Sequence, residues 1–88
     1  MGQDPGVPVG AVLRRFRQER GLTIEQTAVR AKLHAVYYGE VERGKENPTV
    51  RVIARILDVL GRGWGEFGDA VDALRSGAPA ENGGPPPE

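Results

Sequence analysis

Residues 22–44 read LTIEQTAVRAKLHAVYYGEVERG, and this stretch decides how the chain around it must be organised. Thr23 is a helix N-cap residue with Gln26 three positions on, a T-x-x-Q capping box that satisfies two backbone N–H groups reciprocally. The spacing predicts a helix over about residues 24–31, with Ile24, Thr27, Ala28 and Ala31 facing inward. Ala28 is small and permits close approach of the next element. Lys32 and Leu33 make a tight turn. His34 is placed to cap a third helix over about residues 35–43, with Tyr38 and Val41 inward and Gly44 ending it. Gly39 lies inside this helix, at a cost close to 1 kcal/mol relative to alanine.

The pattern continues in both directions. Val9, Val12, Leu13 and Phe16 recur at helical spacing between arginines and predict a first helix that Gly21 terminates. Downstream, residues 45–48 form a loop. Thr49 then caps a fourth helix with the stripe Val50, Ile53, Ile56, Leu57 and Leu60. Gly61-Arg62-Gly63 breaks it. Trp64, Phe67, Val71 and Leu74 predict a short fifth helix to about residue 75, with Trp64 and Phe67 closing the base of the core. The reading is an all-α domain over residues 9–75, five short helices around one core. Residues 1–8 are expected to be a loose arm, and the Gly/Pro-rich residues 76–88 a disordered tail.

Composition narrows the chemistry. A chain of 88 residues is one domain, with little apolar surface to spare. It has no cysteine and one histidine, His34, so neither a disulfide nor a Cys- or His-rich metal site is expected. The only serine is Ser76, in the expected tail, so no nucleophilic catalytic arrangement can be assembled; we expect no enzyme activity and no cofactor. No apolar run approaches the roughly 18 residues of a membrane span, and a cytoplasmic location is the default expectation. The formal net charge is zero, but unevenly spread. Residues 9–67 carry eleven basic and seven acidic side chains, whereas the two ends are acidic. A basic body suits a polyanionic partner.

Three short amphipathic helices with almost no linker can bury their faces only as a trihelical cluster. That is the geometry with which a helix-turn-helix presents one helix to a DNA groove. The residues Gly10, Leu13-Arg14, Arg17, Gly21-Leu22-Thr23, Ala28, Ala31, Val41-Glu42-Arg43-Gly44, Asn47-Pro48-Thr49 and Leu60-Gly61 stand in order over about two-thirds of the chain. In this set the chain resembles the phage-repressor (Cro/CI-type, XRE) helix-turn-helix family.

The resemblance implies a double-stranded DNA-binding transcriptional regulator that inserts its third helix into the major groove. It implies an ion pair between Arg17 and Glu42 that locks helix 1 to helix 3. It assigns base-edge contacts to His34, Ala35, Val36 and Glu40: the imidazole donating or accepting, the carboxylate accepting from cytosine, the apolar pair touching thymine methyls. Backbone phosphates would be met by Thr23 at the start of helix 2 and by Arg43, Lys45, Asn47 and Arg51 around the helix 3–helix 4 loop, with Tyr37 adding a hydroxyl. Ala70, Val71 and Leu74 would allow a homodimer, spacing two recognition helices for successive major grooves about 34 Å apart; the alternative is that Val71 and Leu74 fold back on their own domain. The chain also departs from the family pattern. Ile24 stands where glutamine is common, Lys32 where glycine is preferred, and Ala35, Val36 and Gly39 where polar readers are usual. Glu40 is an acid on a helix meant to approach phosphates. These departures leave a second expectation open: a protein-interaction module on the same scaffold, gripping a protein partner through the helix 3 face at Ala35, Val36 and Tyr37 or through the fifth helix.

Overall fold

The computed structural model describes residues 6–76; the expectations for residues 1–5 and 77–88 lie outside them. Five helices follow in order: α1 (Gly6–Arg20), α2 (Ile24–Arg30), α3 (Ala35–Glu42), α4 (Val50–Leu60) and α5 (Trp64–Ser76). Among the described residues there is no strand. Helix α1 begins three residues earlier than its apolar periodicity indicates, inside the stretch expected to be a loose arm. Pro8 does not prevent this, because the first-turn N–H groups of a helix have no internal partner to lose.

The helix boundaries are set by local chemistry. The α2 capping box is complete: Gln26 N–H donates to Thr23 Oγ1 at 3.0 Å, and Thr23 N–H donates to Gln26 Oε1 at 2.9 Å. Thr49 Oγ1 accepts from Val52 N–H at 3.1 Å and starts α4. His34 occupies the N-cap position of α3, but its imidazole makes no capping hydrogen bond. At their C-terminal ends α1 through α4 close alike, with paired backbone bonds back into the last turn around a residue in the left-handed region. Glycine fills that position at 21, 44 and 61. At the α2–α3 turn it is Lys32, with φ of 61°.

Helix α1 packs against α3, α4 and α5, and α2 packs against α3 and α4. The core is built from Val12, Leu13 and Phe16 of α1, Ala28 of α2 with Ala31 just after it, Tyr38 and Val41 of α3, Ile56, Leu57 and Leu60 of α4, and Phe67 and Ala70 of α5. Burying each large side chain among these contributes about 1.5–3 kcal/mol.

Two apolar residues sit differently from expectation. Val50 is 72% exposed. It opens α4, and side chains lean toward a helix N-terminus, so Val50 leans off the end of the core. Trp64 is 48% exposed and covers Phe67 edge-on, ring centroids 6.0 Å apart, while Phe67 alone enters the core.

Candidate nucleic-acid interface

Helix α3 is held by one clamp and one close approach. Arg17 Nε and Nη2 donate to the two carboxylate oxygens of Glu42 at 2.6 and 3.0 Å, and Arg17 Nη1 donates to the Leu22 carbonyl at 2.8 Å. The Arg17 and Glu42 side chains retain only 11% and 4% of their exposure. This fork-to-fork pairing fixes orientation as well as distance. Four residues before Glu42, the Tyr38 hydroxyl is sealed in the core with no aligned hydrogen-bond partner among the described residues. Burial, and after it the neighbouring Glu42 carboxylate, push the Tyr38 phenol far above its ordinary range. The close approach is at Gly10. A Cβ there would fall on the carbonyl oxygens of Val41 and Glu42, so α1 crosses the end of α3 backbone to backbone.

Pinned at its C-terminal end, α3 turns its first turn outward. His34 is exposed, Val36 is 76% exposed, and Ala35, Tyr37 and Glu40 are half-buried. The Glu40 carboxylate accepts from Arg43 Nη2 at 3.1 Å, so one expected base reader is paired with one expected phosphate contact. Lys45, Asn47 and Arg51 are exposed along the loop and the first turn of α4, and among the described residues no carboxylate pairs with Lys45 or Arg51. Thr23 is exposed as well, with its hydroxyl and N–H both engaged in the α2 cap. His34, Val36, Arg43, Lys45, Asn47 and Arg51 thus present exposed side chains along α3, the loop after it and the first turn of α4.

The three residues expected at a dimer surface differ in exposure. Ala70 is covered by its own domain, 7% exposed, and Val71 is packed half-buried against the same core. Leu74 alone of the three projects, at 46% exposure. Helix α5 packs against α1.

Sequence reading missed three participants. Arg55 Nε of α4 donates to the Ala31 carbonyl at 3.0 Å and caps the end of α2. Arg62 lies 4.3 Å from the Phe16 ring centroid and bonds Glu19 and Glu66, bracing α1 against α5. Arg14 faces an open cleft between α1 and α3. Arg62 stands four positions before Glu66, a local pairing signal, whereas only the packing distinguishes Arg14 and Arg55 from the other arginines.

A short capped helix, a tight turn and a second helix held outward by its packing on α1 define the class of helix-turn-helix proteins. The chain belongs to the helix-turn-helix domain family, whose model matches residues 8–74. It is 38% identical over 53 residues to the uncharacterised HTH-type transcriptional regulator y4dJ of Sinorhizobium fredii, covering 60% of this chain and 69% of that protein. It is 36% identical over 59 residues to the uncharacterised HTH-type transcriptional regulator YqaF of Bacillus subtilis, covering 67% and 78% respectively. Among solved structures it resembles the restriction-modification controller protein C.AhdI of Aeromonas hydrophila, with 32% identity and a TM-score of 0.68 over 70% of this chain and 94% of that one. Among the described residues no helix is long and apolar enough to cross a membrane.

Proposed function

We propose that this helix-turn-helix transcriptional regulator binds double-stranded DNA sequence-specifically, with α3 in the major groove. The observation that carries the reading is the buried Arg17–Glu42 clamp, which holds α3 so that its first turn projects. His34, Ala35, Val36 and Glu40 then meet base edges. Thr23, Tyr37, Arg43, Lys45, Asn47 and Arg51 meet the sugar-phosphate chain and set register without reading sequence. A homodimer through Leu74 and the exposed edge of Val71 would supply the second half-site.

Selection from a random duplex library, followed by titration of the selected and a scrambled duplex, tests this reading. Affinity is expected to fall steeply with salt as counterions are released. Arg43→Ala should weaken both duplexes alike, whereas His34→Ala should narrow the difference between them. Equal effects of both changes on both duplexes would argue against base reading.

Exposed Val36 beside the acidic Glu40 favours a second reading, in which the α3 face grips another protein. That reading requires no duplex binding at physiological salt, and a complex lost on Tyr37→Ala if α3 is the gripping face or on Leu74→Ala if α5 is.

A further inference from the structure

Between α1 and α3 lies an open cleft of about 210 Å³ lined by Arg14, Arg17, Ile24, Gly39, Glu42 and Arg43. Its floor is electrically closed. All three nitrogen positions of Arg17 donate, two of them to the two oxygens of Glu42. The guanidiniums at the rim are different. Among the described residues Arg14 has no carboxylate partner, and Arg43 is held only by Glu40, through one exposed contact of 3.1 Å. Such surface pairs are weak and easily exchanged. Between them stands Gly39. A glycine inside a helix is destabilising, and packing does not require one here. A Cβ at this position would meet only the Arg43 guanidinium, at an ordinary 3.5 Å. Gly39 is itself buried beneath that guanidinium, so the absence of a Cβ lets Arg43 lie close against the helix at the edge of the cleft.

We infer that this cleft seats one phosphate group, gripped by Arg14 from α1 and by Arg43 at the C-terminal end of α3, beside Gly39, and that Glu40 is the internal carboxylate the phosphate displaces from Arg43. The inference rests on the duplex-binding reading and adds to it a contact from α1. Guanidinium exchanges one oxyanion for another of higher charge density, with the same fork geometry. Glu40 thereby acts as a built-in competitor for Arg43, and once displaced its carboxylate is free for the base-edge contact.

Fluorescence anisotropy of the full chain on a random-sequence duplex, over a range of salt, tests it. Arg14→Gln is expected to lower the slope of log affinity against log salt by about one. Glu40→Gln should tighten binding about three- to tenfold, and should gain nothing when Arg43 is already alanine. Gly39→Ala should weaken binding while raising the melting temperature. Unchanged slope in Arg14→Gln, with a steep slope in the parent chain, overturns the inference and leaves duplex binding standing. If the parent chain binds no duplex, inorganic phosphate is titrated instead, following the Gly39 amide and arginine Nε–H signals by NMR. Saturable shifts that vanish in Arg14→Gln then identify a free phosphate as the occupant; no shifts overturn the seat.

Discussion

Gly10 and Tyr38 show how single residues govern the presented helix. At Gly10 two backbones touch, and the atoms in the way of a side chain are carbonyls of α3 rather than a flexible side chain. Gly10→Ala should therefore force α1 and α3 apart, costing about 3 kcal/mol or more, as read by chemical denaturation. Tyr38 makes a prediction about pH. Its phenol is held above the ordinary range by burial and by Glu42. Below pH ~10 it is protonated in the folded and unfolded chain alike, and its contribution is complete. Above that, the unfolded chain ionises while the folded one resists, so stability falls as pH rises. In Tyr37→Phe, where Tyr38 is the remaining tyrosine, phenolate absorbance should appear only together with loss of helical circular dichroism. Phenolate forming while the fold persists would contradict the buried placement.

The element on which function depends is α3, and it is oriented mainly from outside itself. Its eight residues are too few to be stable alone. The Arg17–Glu42 clamp is buried, and removing one partner strands the other. Arg17→Ala should cost about 3 kcal/mol in stability, and hydrogen exchange should quicken in α3 before α4. Uniform acceleration across all helices would mean that the clamp does not orient α3 in particular. The turn before α3 carries the opposite sign. Lys32 stands in the left-handed region that glycine occupies at the three equivalent helix ends. Lys32→Gly should stabilise the domain by about 1 kcal/mol in thermal melts, because the backbone is already in the conformation glycine tolerates. The helices themselves were legible in sequence because caps and apolar spacing are local signals. Val50 and Trp64 were misplaced for a related reason: periodicity gives the angle around a helix axis but not where along that axis the core ends.

In the whole molecule, α1 is the central strut, contacting α3, α4 and α5. Arg62 completes this arrangement by lying over Phe16 and bonding carboxylates on both flanking helices. Arg62→Ala should lower the melting temperature through loss of a cation–π contact of about 1 kcal/mol, with little change in duplex affinity, since it lies away from α3. A large loss of affinity in a still-folded Arg62→Ala protein would place the α1–α5 side in the interface. The sequence by itself determined five helices, the threonine caps of α2 and α4 and most of the residues that face inward, because each depends on neighbours within about four positions. Tertiary structure alone decided that α1 touches α3 through bare backbone, that Ala70 is covered, and that Arg14 opens onto a cleft. Those facts depend on where residues tens of positions apart come to rest, and no local pattern encodes that distance.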